Sequence, residues 1–245
     1  MRNTLINALT QLANNKRIFC SEADFQFALA WEIQKHRPNA QILLENGIRT
    51  SCGYYYIDIV VIKNGLRYFI ELKYQTARCA IKTPIMSFVL KEQAAEDLMR
   101  YDYLWDLHRL YTIKCQKPDF GGGYAIILSN DRLMYQAPSR KSTKTLDAFF
   151  RIHERPLGKT GLYPIPGLVA WNNGNKANQV PPHWTYHGSR AKLFSLPPIN
   201  THWNDYLAFT DSDGNPQLFK YLINEVGPTC SNNGPALIGD ICGFE

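Results

Sequence analysis

The stretch whose reading decides the fold is YYYIDIVVIKNGLRYFIELKY, residues 54–74. It holds two runs rich in Ile, Val, Tyr and Phe, separated by Asn64-Gly65. Asn-Gly between two β-rich runs is the strongest short-range cue for a hairpin. Each run carries a charge that its neighbours do not explain: Asp58 interrupts Ile57, Ile59, Val60, Val61 and Ile62, and Glu71 sits between Ile70 and Leu72. Carboxylates inside apolar strands are costly to bury unless something compensates them. With Asn64-Gly65 as a two-residue loop, Lys63 pairs with Leu66, and the same register puts Asp58 opposite Glu71. Cross-strand partners have Cβ atoms roughly 4.5–5.5 Å apart, and period-two alternation adds Lys73 to the same face. The plain alternative is a solvated surface hairpin. Tyr54, Tyr56, Val60, Ile62 and Phe69 are expected on that face too, which is too apolar for such a surface.

Two carboxylates placed this way repel each other and invite a cation between them. Mg²⁺ takes oxygen ligands, needs only one or two carboxylates, and completes its shell with water and substrate phosphate. It polarises a phosphoryl oxygen and supplies hydroxide near neutral pH. A neighbouring lysine orients the attacking water or stabilises charge developing on phosphate. These are the parts that phosphodiester hydrolysis requires.

Outward from the hairpin, Leu5, Leu9 and Leu12 recur at helical spacing, so the first fifteen residues read as an amphipathic helix. Ser21 and Asp24 form a capping-box pattern opening a second helix, Glu22 to Lys35, with Phe25, Leu29 and Ile33 as its core stripe, Ala28 beside it, and Pro38 marking its end. Ile42 to Leu44 is a first strand. From about Ser87 to Ile113 the pattern is helical, with Leu90, Ala94, Leu98, Tyr101 and Trp105 on one side. Gly121-Gly122-Gly123 reads as a turn before the strand YAIILSN (residues 124–130). The order is helix, three strands, helix, strand. YLAFT and LFKYLI, flanking Asp211 to Asn215, predict a last hairpin.

Asp58, twelve intervening residues, then Glu71-Leu72-Lys73 resembles the core motif of the PD-(D/E)XK nuclease superfamily. The resemblance covers roughly residues 20 to 131, with Ile57 standing where the family pattern has proline. It implies a restriction-endonuclease-like α/β fold with an αβββαβ core, a mixed sheet flanked by helices, here with a β-rich C-terminal extension. It further implies an Mg²⁺-dependent (or Mn²⁺-dependent) nuclease, with DNA expected ahead of RNA as partner. Glu22 matches the carboxylate that the first helix often contributes, and Gln26 lies one turn on. On this reading Glu22, Asp58, Glu71 and Lys73 form the catalytic set. Asp58, Glu71, the Leu72 carbonyl and Glu22 are the metal ligands. The alternatives are a non-cleaving nucleic-acid-binding or interaction module on the same fold, and an Mg²⁺ enzyme acting on small phosphorylated substrates. Family analogy adds a homodimer.

Other polar residues have plainer readings. Asp24 is explained by capping. Asp97, Asp102, Asp106 and Arg109 read as a solvated helix face held by i,i+4 pairs. His183, His187 and His202, with Trp184, Tyr186 and Trp203, read as packing or substrate stacking, packing favoured. Lys82, Arg140, Lys141 and Lys144 default to solvated surface. The Trp, Tyr and His residues of the C-terminal half are expected against the sheet or the substrate groove.

The chain has 245 residues, 45% of them hydrophobic, 13% aromatic and 20% charged, with a formal charge of +6. One domain is expected, with its core at about residues 20–131 and an elaboration over about 132–245. The positive balance suits a polyanionic partner. Cys20, Cys52, Cys79, Cys115, Cys230 and Cys242 are scattered without a CxxC pair, and read as free thiols of a reducing cytoplasm. No signal-peptide pattern opens the chain, and no apolar run approaches the ~20 residues of a membrane span, so no membrane partner is expected.

Overall fold

The computed structural model describes residues 1–82, 87–138, 147, 150–154, 168–169 and 194–228, the pair 168–169 by backbone alone. In chain order the elements are α1 Arg2–Asn14, α2 Glu22–His36, β1 Gln41–Thr50, β2 Gly53–Lys63, β3 Leu66–Gln75, β4 Cys79–Lys82, β5 Ser87–Leu90, α3 Glu96–Gln116, β6 Phe120–Ser129, α4 Arg132–Tyr135, β7 Leu168–Val169, β8 Phe194–Ser195, β9 Asn204–Thr210 and β10 Pro216–Val226. Six strands form one mixed sheet in the order β1-β2-β3-β6-β10-β9. Only β3 and β6 run parallel; the other neighbours are antiparallel. This is a mixed α/β architecture with helices on both faces of the sheet.

The hairpin at Asn64-Gly65 forms as its residues dictate. Both have positive φ, 52° and 75°, which is the two-residue turn that suits the twist of paired strands. Lys63 pairs with Leu66, and the ladder continues through Ile62↔Arg67 to Ile59↔Ile70. Ser21 caps α2, its side chain accepting from the Asp24 amide at 3.1 Å. Phe25, Leu29 and Ile33 are fully buried, and α1 adds Leu5 and Leu9. These pack with Ile59, Val61, Ile70, Leu72 and Tyr74 on one face of the sheet. On the other face, Tyr103, Leu104, Leu107 and Leu110 of α3 pack with Val60, Phe69, Ala125 and Ile127.

Three expectations are corrected. Ser87 to Leu90 is strand, not helix: it pairs with Cys79 to Lys82, and α3 opens only after Ala95, whose φ of 73° breaks the run. Gly121 to Gly123 lies inside β6 and makes no turn. A Cβ on Gly121 would stand 2.9 Å from the Tyr68 ring, and one on Gly123 3.1 Å from Leu110. The glycines are there so that the hairpin and α3 can press on the strand. Third, Cys52 is disulfide-bonded, whereas Cys20 and Cys79 are free. Chain spacing does not reveal which cysteines pair, and the free-thiol argument for a reducing compartment does not extend to Cys52.

The last hairpin, β9–β10, adds two strands beyond β6, with Asp211 accepting from the amides of Asp213 and Asn215 in its turn. Trp203 is buried in the α3-side core and donates to the Ile152 carbonyl at 2.8 Å. His202 is exposed beside Glu154. Trp184, Tyr186, His183, His187, Arg140, Lys141 and Lys144 lie outside the described residues. Among the described residues no helix is long and apolar enough to cross a membrane.

Candidate active site

The site begins at a break in the sheet. The β1–β2 ladder runs from Gln41↔Ile62 to Leu44↔Ile59, skips Glu45 and Asp58, and resumes at Asn46↔Ile57. Glu45 has a φ of 49°. Before the break, Leu43 and Val60 pack toward α3; beyond it, Ile48, Tyr55 and Ile57 do so. Each of these is an odd number of residues away, so the alternation of faces inverts at Asp58. Buried Gln26 of α2 fills the break, its amide donating to Glu45 Oε1 at 2.8 Å and to the Asp58 carbonyl at 2.7 Å. One consequence corrects the sequence reading: Tyr54 and Tyr56 do not share an apolar face with Val60 and Phe69, and are 62% and 64% exposed. Strict period two was the assumption that failed.

Beyond Ile70, the edge of β3 toward β2 has no strand partner among the described residues, since β2–β3 pairing ends at Ile59↔Ile70. Two carboxylates take over. Asp58 Oδ2 accepts from the Leu72 amide at 2.5 Å, and Glu22 Oε2, from the first turn of α2, accepts from the Tyr74 amide at 2.9 Å. Leu72 and Tyr74 are two apart, so their amides leave the same edge of the strand. The Leu72 carbonyl accepts from Lys73 Nζ at 3.1 Å.

Glu71 and Lys73 meet α3. Lys73 Nζ lies 2.7 Å from Asp106 Oδ2, and Arg109 lies 3.2 Å from Glu71 Oε1 and 3.1 Å from Asp106 Oδ1. Arg109 also donates to the Tyr56 carbonyl, and its guanidinium sits over the Tyr55 ring. Glu71 is 2% exposed and Asp106 3%. The sequence reading of Asp106 and Arg109 as a solvated face is therefore corrected. The signal was in the helix: Tyr103, Asp106, Leu107 and Leu110 fall at i, i+3, i+4 and i+7, so Asp106 occupies a core position of that stripe. Asp24, as expected, is a capping residue, accepting from the Cys20 amide and pairing with Arg17. Asp97 bonds the Leu98 amide and Lys82 is exposed.

Burial governs the electrostatics. It raises the Asp58 carboxyl to a pKa of about 6, with Lys73 and the Leu72 amide pulling the other way. It raises Glu22 as well, against the same lysine. Glu71 is pushed well above its ordinary range by burial and by Asp106, with Arg109 opposing. Burial also works against the charge on Lys73, but Asp106, Glu22, Glu71 and Asp58 together outweigh it and hold the group as an ammonium. Four carboxylates thus surround two cations, an excess of negative charge in a low-dielectric place.

The ionic contacts are not all hydrogen bonds. Glu71 Oε1, Asp106 Oδ2 and Arg109 Nε are buried without a hydrogen-bond partner, although the first two have a cation nearby. Among the described residues, no three His, Cys, Asp or Glu side chains already stand together as a group able to hold a metal ion. Asp58 and Glu22 are turned onto β3 amides and Glu71 toward Arg109. The chain matches no protein-family model, no curated protein and no solved structure.

Proposed function

We propose that this chain is a metal-dependent nuclease that hydrolyses phosphodiester bonds, with Glu22, Asp58, Glu71 and Lys73 as its catalytic set and DNA as the preferred nucleic acid. One observation carries the reading. The four residues singled out by the sequence motif come from two strands and a helix, yet they gather where β2 leaves β3 and two carboxylates replace the missing strand. The order α2-β1-β2-β3-α3-β6, with the β4–β5 hairpin inserted, is the order expected of a restriction-endonuclease-like core.

The residues present fit a hard divalent cation. The donors are all oxygens, and Glu71 Oε1 is a buried acceptor with no hydrogen bond to lose. Asp58, Glu71 and the Leu72 carbonyl would hold the ion, and Glu22 would hold a second, directly or through water. Bound there, Mg²⁺ or Mn²⁺ would supply positive charge at a phosphoryl oxygen and acidify a water. Lys73 stays charged near neutral pH, so it donates hydrogen bonds and is no general base. Its ammonium orients the attacking water or steadies charge on the phosphate, while Asp106 holds it in place at 2.7 Å.

A second reading has its own observation. Arg109 and Lys73 already neutralise Glu71 and Asp106, and such a network also suits a non-cleaving nucleic-acid-binding module. One assay separates the two: the protein is incubated with Mg²⁺ or Mn²⁺ and labelled single- and double-stranded DNA and RNA. Metal-dependent cleavage, abolished by EDTA, is the expected result. Binding without cleavage in either metal supports the second reading and overturns the first.

A further inference from the structure

We propose that Arg109 is an internal counter-ion for Glu71 that a divalent cation replaces, and that the guanidinium, still held by its other contacts, then anchors a substrate phosphate. The proposal rests on the reading of this site as a cation centre. Three of the contacts made by Arg109 fix the side chain, namely Asp106 Oδ1 at 3.1 Å, the Tyr56 carbonyl, and the Tyr55 ring with its centroid 5.2 Å away. The fourth is looser. Arg109 comes within 3.2 Å of Glu71 Oε1, but that oxygen accepts no hydrogen bond, and Arg109 Nε donates none. On a carboxylate 2% exposed, Oε1 has a cation beside it and no N–H directed at it.

Such an arrangement is poor as a structural ion pair, because a buried pair repays its desolvation only when its hydrogen bonds are made. It is well suited to exchange. Glu71 loses no hydrogen bond at Oε1 on turning to a metal ion, and Arg109 keeps Asp106, Tyr56 and Tyr55 when it does so. The guanidinium is then a fixed cation with an unused Nε–H donor, and planar N–H edges of this kind match phosphate oxygens. Metal and phosphate binding become coupled, since one residue blocks the first and serves the second.

Calorimetric titration of Mg²⁺ into the full chain, without nucleic acid, tests the exchange. Arg109→Gln removes the competing charge and is expected to bind Mg²⁺ roughly tenfold more tightly, whereas Arg109→Lys, which keeps the charge, stays within about twofold of wild type. In Mg²⁺-saturated protein, Arg109→Gln is expected to bind inorganic phosphate roughly tenfold more weakly. Should Arg109→Gln not fold, the wild-type protein gives its own readout: the Arg109 Nε–Hε resonance shifts in step with Mg²⁺ occupancy. Equal Mg²⁺ affinities in folded wild type and Arg109→Gln, or a resonance that stays put while Mg²⁺ binds, overturns the exchange and leaves the cation centre standing. A wild-type protein that binds neither Mg²⁺ nor Mn²⁺ overturns both.

Discussion

Helix α3 carries two buried ionic clusters, and they are built differently. Near its first turns, Arg100 donates to Asp147 Oδ2 and to the Leu133 carbonyl, while Arg151 donates to Asp147 Oδ1. Both oxygens of the anion are satisfied by two cations, and among the described residues the one buried polar atom left over there is a donor, Arg100 Nε. Farther along, Asp106 and Arg109 meet Glu71 and Lys73, with Asp58 and Glu22 close behind. There the anions outnumber the cations, and Glu71 Oε1 goes without a hydrogen bond. A cluster whose anion is satisfied tethers a segment. An unsatisfied one with surplus charge is left ready for another cation.

The comparison predicts opposite responses to substitution. The largest effect is on chemistry at the second cluster: Lys73→Ala should lower the rate of metal-dependent cleavage by roughly 10³ in protein that still folds. Circular dichroism beside the cleavage assay checks this, and near-normal cleavage by a folded Lys73→Ala protein breaks the distinction. At the first cluster, Asp147→Ala should leave the buried Arg100 and the half-buried Arg151 without their carboxylate and destabilise the fold by about 3–5 kcal/mol. Cleavage per folded molecule should be unchanged there, which denaturant unfolding and an activity assay on the same sample will show.

A smaller effect is a pH dependence. The folded-state pKa of Asp58 is about 6, raised from its ordinary 3.8, so between these values the folded chain binds more protons than the unfolded one. The stability gained from that proton is present below about pH 4 and lost as pH rises through 6, a change on the order of 2 kcal/mol. Asp58→Asn should flatten this part of the stability curve in metal-free protein. An unaltered curve, measured by urea unfolding from pH 4 to 7, would show that the carboxylate is not strained.

How much of this was legible in the chain follows from the range of each signal. The Asn64-Gly65 turn, the Ser21 cap and the Asp211 turn are local, and each formed as its residues require. The register to Ile59↔Ile70 followed from the turn alone. The inversion at Asp58 did not, because it depends on Glu45 and on Gln26, thirteen and thirty-two residues away. Asp106 and Arg109 were misread for a related reason: α3 buries two sides at once, and the stripe through Tyr101 and Trp105 hid the one through Tyr103, Leu107 and Leu110. Strand β5 was read as the start of a helix because a four-residue strand is too short to show a period.

The most direct test of the central claim is the melting temperature of wild type and Asp58→Asn with and without Mg²⁺, read beside cleavage. The account predicts that Asp58→Asn is slightly more stable than wild type without metal, gains less from Mg²⁺, and loses cleavage by orders of magnitude. A variant that is less stable than wild type, yet cleaves as well, would contradict it.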